Sequence, residues 1–250
     1  MSMSIRAEQI DYSYGRRRVL HSLDLDVGVG ATLLLGPNGA GKSTLLEVLA
    51  SVRRAARGSV TIAGVGAPGP DRAALQRYRR AVAWLPQTVT PYPGVRVREH
   101  VALAGWLKGM SKAEAWEASA RALEQVALSD KATDPVKSLS GGQTRRLGIA
   151  GALVHDARVI LLDEPTASLD PAQRRRFRSV IEPIAAERTV LISSHDTQEV
   201  AASFDSVVVL AEGRMRFAGT VEAFLRVSPS SASDTDRIEL AYVHWAGGVE

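Results

Sequence analysis

The chain has 250 residues, of which 45% are apolar, and carries a formal net charge of +4 with no cysteine. That length suits one compact domain, or a core with one inserted subdomain. The composition excludes disulfides and thiolate metal sites, and no apolar run approaches the roughly 18–20 residues needed to cross a bilayer.

Residues 5–35 alternate between apolar and polar positions, with turn signals at Gly15 and Gly28–Gly30, and read as short strands ending with Ala31–Leu35. Gly36–Ser43 follows, and then an apolar helix from about Lys42 to Val52. Gly58–Ala63 and Ala81–Pro86 are further strands, the second leading into Gln87. From 95 to 155 the strand pattern disappears. Helical spacing replaces it at Val97, Val101, Leu103 and Leu107, and again at Leu123, Val126 and Leu128. Ser111, three residues before Glu114, predicts a capping box. Alternation then returns with strand Val159–Leu162, helix Pro171–Ala186, strand Thr189–Ser193, a short helix and strand Ser206–Leu210. Ser228–Ser233 reads as a serine-rich linker, and Asp236–Trp245 as an ordered element of the tail. There is no internal repeat.

Alternating strands and helices imply a mostly parallel, buried sheet, here interrupted by a helical insert. Ligands of such sheets lie beyond the carboxyl ends of the strands. Gly36–Ser43, Gln87, Asp163-Glu164 and His195 each follow a predicted strand, which gathers four polar signals at one edge.

Gly36-Pro37-Asn38-Gly39-Ala40-Gly41-Lys42-Ser43 matches the phosphate-loop pattern in full. Its glycines let successive N–H groups point inward at phosphate oxygens, and the helix behind adds positive potential. Lys42 is expected to bridge the β- and γ-phosphates, and the Ser43 hydroxyl to ligate Mg²⁺. Thr44 completes the nucleotide-binding turn. Val159–Leu162 delivers Asp163 beside the metal, where a carboxylate suits Mg²⁺. Glu164 is then placed to orient the attacking water, because phosphoryl transfer needs mainly positioning and charge stabilisation.

The segment Leu139-Ser140-Gly141-Gly142-Gln143 stands between these halves, about 20 residues before the acidic pair. Ser140 is a good N-cap for the helix that follows. A phosphate loop, an LSGGQ segment and an acidic strand end in that order make the chain resemble the ATP-binding cassette (ABC) family, over roughly residues 5 to 225. The resemblance implies an α/β P-loop NTPase (RecA-like) core with an N-terminal antiparallel β-subdomain and an inserted α-helical subdomain. The ATPase domain would span 1–227, with its core at about 1–87 and 156–227 and the insert at about 88–155. Residues 228–250 would form the linker and tail.

The resemblance also implies roles. Gln87 matches the Q-loop glutamine, which reaches Mg²⁺ or the water, and His195 matches the switch histidine at the γ-phosphate. The other histidines are taken as structural. Tyr14 stands where the family stacks an aromatic on adenine, with Tyr12 as the competing candidate. Ser140, Gly141, Gly142 and Gln143 would cap the nucleotide of a second subunit, so that two ATP molecules are enclosed in a homodimer or a heterodimer with a similar subunit. Ser168-Leu169-Asp170 matches the loop that crosses between the two sites. Thr144 departs from the basic or amide residue more usual there, a change that Arg145 and Arg146 can offset.

The expected activity is Mg²⁺-dependent ATP hydrolysis that drives a separate polytopic membrane permease, in export ahead of import. The export expectation rests on the likeness of Trp84–Gln87 and Val97–Gly109 to exporter ATPases. Residues 88–110 would line the docking groove, with Val89, Tyr92, Val95 and Trp106 as contacts, although Trp106 suits the insert's own core equally well. A soluble assembly ATPase without transport is the alternative. Met1–Glu8 lacks the apolar core of a signal peptide, so a cytoplasmic protein at the inner face of the membrane is expected. Arginines cluster at Arg16–Arg18, Arg77–Arg80 and Arg174–Arg176. Interspersed acids favour solvated faces, so no specific nucleic acid is expected.

Overall fold

The computed structural model describes residues 4–167, 169–201 and 204–247. Two sheets organise it. A small antiparallel sheet runs β2 (Arg17–Val27), β1 (Ile5–Tyr14), β4 (Arg57–Ile62). A larger sheet runs β5 (Val82–Leu85), β6 (Val159–Asp163), β7 (Thr189–Ser194), β3 (Gly30–Leu35), β8 (Ser206–Ala211), β9 (Arg214–Thr220). Its first five strands are parallel, and β9 pairs antiparallel to β8. This is the P-loop NTPase architecture anticipated from the sequence, with its N-terminal antiparallel sheet.

The parallel strands are buried on both faces, which explains their continuous apolar runs. In β6, Val159 and Leu161 pack towards the small sheet and α1 (Lys42–Leu49). Ile160 and Leu162 pack on the opposite side, against α5 (Gly141–Leu153) and α6 (Pro171–Ala185). All four are fully buried, each burial contributing about 1.5–3 kcal/mol. Side chains on both faces thus hold a five-residue strand in the middle of the molecule.

The insert folds as α3 (Val97–Leu107), α4 (Lys112–Gln125) and α5. The expected capping box is present: Ser111 Oγ accepts from Glu114 N at 3.2 Å, and Glu114 accepts from Ser111 N at 2.8 Å. Val97, Val101, Ala118, Ala122 and Leu123 bury against Leu147 and Ala150 of α5. Trp106, Leu107 and Tyr92 stay at least two-fifths exposed, so Trp106 does not pack the insert's own core.

Several boundaries differ from expectation. The helix α1 stops at Leu49 rather than near Val52, because Ser51 takes a left-handed conformation (φ 56°). The strand β5 starts at Val82, since Ala81 closes α2 (Arg72–Ala81), which the apolar spacing did not predict. Only Tyr78 and Ala81 of that helix are buried, too few to produce a periodic signal. Tyr78 is completely buried and donates to Leu49 O at 2.6 Å, tying α2 to the end of α1. The edge strand β9 also went unpredicted, its residues never more than half-buried.

After β9 come α7 (Val221–Leu225) and α8 (Asp234–Ala246). Ser233, the last residue of the serine-rich segment, caps α8 by accepting from Asp236 N at 3.2 Å. Ile238 and Ala241 bury against Phe224, Val207 and Val209, and Trp245 Nε1 donates to Phe224 O at 3.0 Å. Among the described residues, no helix is long and apolar enough to cross a membrane.

Candidate functional site

The loop Gly36–Gly41 joins β3, at the centre of the sheet, to α1. Gly41 is the N-cap of α1 in a left-handed conformation (φ 106°) that a side chain would strain. No side chain caps this helix, so its first N–H groups remain available to an anion. The loop is held from behind: Ala40 N donates to Pro37 O at 3.2 Å, and Gly213 N donates to Ala40 O at 3.0 Å. Lys42 is buried, with Nζ donating to Gly36 O (2.7 Å) and Pro37 O (3.2 Å) and lying 3.6 Å from Glu164 Oε1. Burial lowers the pKa of this ammonium, and the Glu164 charge opposes the shift.

The strand β6 supplies the acids. Its register places Asp163 opposite Ser193 of β7. Ser193 Oγ donates to Asp163 Oδ1 at 2.6 Å and accepts from Glu164 N at 2.9 Å. Glu164 itself is left-handed (φ 45°), a conformation that costs a non-glycine residue about 1–2 kcal/mol. Its carboxylate is buried between two cations or potential cations. Oε1 faces Lys42, and Oε2 lies 3.2 Å from His195 Nδ1. The His195 side chain is half-exposed.

Ten of the residues named from sequence line one cavity of about 640 Å³: Tyr14, Asn38, Gly39, Gly41, Lys42, Ser43, Thr44, Gln87, Glu164 and His195. Asp163 lies immediately behind it, on Ser193. Of the two tyrosines, Tyr14 lines this cavity; its hydroxyl is 3.4 Å from both Thr44 Oγ1 and Glu47 Oε2. Tyr12 meets Tyr14 edge-on at 5.0 Å and accepts from Arg53 Nη1 at 3.2 Å. The Arg53 guanidinium lies 4.8 Å from the Tyr14 ring centroid.

The LSGGQ segment is separate from that cavity. Gly141, Gly142 and Arg145 line a second one of about 710 Å³, and Gln87 and Glu164 belong to both. Ser140 and Gln143 bond each other in a capping box, Ser140 Oγ accepting from Gln143 N (3.3 Å) and Gln143 Oε1 from Ser140 N (2.8 Å). Asp170 caps α6, accepting from Gln173 N at 2.8 Å, and Ser168 lies outside the described residues.

The chain is similar to known proteins throughout this region. Residues 20–167 match the model of the ABC transporter family, a span that includes the phosphate loop, Gln87, the LSGGQ segment and the acidic pair. The chain belongs to the ABC transporter family. As an ABC cassette it is an ATP-binding subunit of the ATP-hydrolysing kind. It is 37% identical to the Nod factor export ATP-binding protein I of Burkholderia orbicola, covering 86% of this chain and 70% of that one. It is 38% identical to the cobalt import ATP-binding protein CbiO of Rhodobacter capsulatus, over 90% and 81%. A solved ATP-binding subunit of an ABC transporter superposes with a TM-score of 0.83 at 25% identity, covering 96% of this chain and 98% of that one.

Three features of this ABC site were not read from the sequence. One is Ser193, which needs the β6–β7 register to be seen. Another is the buried pair of Thr166 and Glu199, in which the Thr166 hydroxyl donates to the carboxylate. The last is Arg145, whose guanidinium reaches five backbone carbonyls.

Proposed function

We propose that the chain hydrolyses Mg²⁺-ATP with the residues of this cavity and closes on a second subunit to drive a separate permease. The carrying observation is the Glu164 carboxylate, set between Lys42 (3.6 Å) and His195 (3.2 Å) at the mouth of the phosphate loop. The buried Lys42 ammonium and the uncapped N-terminus of α1 receive the β- and γ-phosphates. On that arrival Lys42 turns from Glu164 and the Gly36 and Pro37 carbonyls to phosphate oxygen. Glu164 is then a free carboxylate, held by its strained backbone, that aligns a water and takes up its proton. His195 donates to the γ-phosphate, and Tyr14 carries the adenine.

The donor set suits Mg²⁺: an exposed Ser43 hydroxyl, a buried Asp163 carboxylate and the Gln87 amide are all hard oxygen ligands. Among the described residues no group of three His, Cys, Asp or Glu side chains is arranged to hold a metal ion by itself. When bound, the ion neutralises charge on the phosphate oxygens.

The N-terminus of α5 lines a cavity that shares Gln87 and Glu164 with the phosphate-loop cavity, and we assign the Ser140–Gln143 cap to the nucleotide of a second cassette, in a homodimer or a heterodimer. The exposed Tyr92 and Trp106 with half-buried Val89 and Val95 offer apolar contact to a permease helix at the inner face of the membrane. Export is favoured by the likeness of Trp84–Gln87 and Val97–Gly109 to exporter ATPases. The test is Glu164→Gln, tagged and purified from membranes with ATP. Trapped nucleotide and a stoichiometric polytopic partner are expected; a purely soluble complex, or undiminished turnover, would overturn this reading.

A further inference from the structure

Arg145 stands one turn into α5 and makes an unusual set of bonds. Nη1 donates to Pro86 O (2.9 Å) and Gln87 O (2.6 Å), at the end of β5. Nη2 donates to Asp163 O and Glu164 O (2.6 Å each), and Nε to Pro165 O (3.1 Å), at the end of β6. One planar guanidinium has five N–H donors in a fixed fork, and here every partner is a backbone carbonyl. Among the described residues no carboxylate lies within ion-pair distance of it, although the charges of Asp163 and Glu164 favour its cationic form.

The approach needs a glycine. Gly148 lies three residues on, on the same face of α5, and a Cβ there would sit 2.6 Å from Val89 and 2.7 Å from Leu85. The helix therefore lies close enough to β5 for Arg145 to reach both strand ends. The next residue, Arg146, provides an internal contrast. It too bonds carbonyls, at Val126 O (3.1 Å) and Ala127 O (2.7 Å), but these belong to the end of α4, remote from Gln87 and Glu164.

The grip matters because Glu164 is strained. Ser193 Oγ accepts its N–H and Arg145 takes its C=O, so the left-handed residue is fixed from both sides. The same guanidinium fixes the carbonyl of Gln87. We propose that Arg145 is a positioning residue which joins the LSGGQ helix, the Gln87 loop and the Glu164 turn into one rigid unit, so that displacement of α5 moves both active-site groups together. Arg145 touches no nucleotide in this scheme, which rests on the ATPase reading above.

The test compares Arg145→Met, Arg145→Lys and the control Arg146→Met in the full chain. ATP turnover should fall about 10- to 100-fold in R145M, since small misplacements carry penalties of that size, while KM moves by no more than about threefold. R145K keeps the charge but loses the fork and should lie between R145M and wild type. R146M should lower Tm without separating kcat from KM. Hydrogen exchange supplies a readout independent of turnover: in R145M, the hydrogen-bonded segments 82–85 and 163–167, whose ends Arg145 holds, should both lose protection while α5 keeps its own. Joint loosening supports the unit even in a preparation that hydrolyses nothing, a result that would count against the ATPase reading instead. Turnover within about threefold of wild type in R145M, or loosening of only one segment, would overturn the proposal.

Discussion

Two helix N-termini in this molecule are rich in glycine, and they are finished differently. At α1 no side chain caps the helix, and Lys42 is drawn into the loop with its ammonium on backbone carbonyls. At α5 a capping box closes the helix with its own Ser140 and Gln143, and no lysine is present in the segment. At the first, N–H donors, cation, acid and cavity are all supplied by one chain. The second presents a satisfied turn to a neighbouring cavity that shares Gln87 and Glu164 with the first. Similar composition at two helix starts is thus finished in two ways, which the proposed function reads as a cradle and a lid, and the difference lies in what stands behind the turn.

The largest effects should come from the cradle. Lys42→Ala removes a buried charge-assisted contact and should weaken nucleotide binding at least about tenfold, measured by titration with a fluorescent ATP analogue. Glu164→Gln should bind as well as wild type yet hydrolyse about 10²- to 10⁴-fold more slowly, the range for losing a general base. Equal losses of binding in both variants would remove the distinction between holding and hydrolysing. Ser140→Arg should act the other way round from Lys42→Ala: binding to the isolated subunit intact, turnover lost. Unimpaired turnover in that variant would make the α5 turn a mere helix cap.

Ser193→Ala should have a smaller, mixed effect. It leaves the Glu164 N–H unsatisfied and Asp163 without its donor, costing roughly 1–3 kcal/mol. A Tm lowered by several degrees, together with reduced turnover, is expected. The effect that bears least on turnover lies away from both helix starts. Burial, with nearby Lys108 adding to it, pushes the His155 pKa down to about 4. The folded state then holds fewer protons than the unfolded chain between about pH 4 and 6.5. Stability from this group therefore increases as pH rises through that window, by at most roughly 3 kcal/mol. A His155→Gln variant should show a flatter Tm profile over the same range, and an unchanged slope would exclude His155 as its source.

The sheet and the insert were legible because periodicity is strong where burial is strong. The runs Val159–Leu162 and Thr189–Ser193 read as buried strands, and Ser111 with Glu114 marked the start of α4. The helix α2 was missed because two buried residues in ten give no period, although Asp71, its cap, was the available cue. Most residues proposed for the phosphate site could be named because one loop carries them in sequence. The bonds of Ser193, Glu199 and Arg145 could not, since each reaches a neighbour brought close only by strand register or helix packing, and Arg145 was named only as offsetting Thr144. A sequence reveals the residue that meets the ligand more readily than the one that holds that residue in place.

The central claim is that the cradle of one chain is closed by the α5 turn of another. The most direct measurement is the mass of Glu164→Gln in solution with ATP, by light scattering, beside the double variant Glu164→Gln, Ser140→Arg. A dimer for the first, and for the second a monomer that still carries ATP, is the predicted result. A nucleotide-bound monomer in both, or a dimer unaffected by Ser140→Arg, would contradict it.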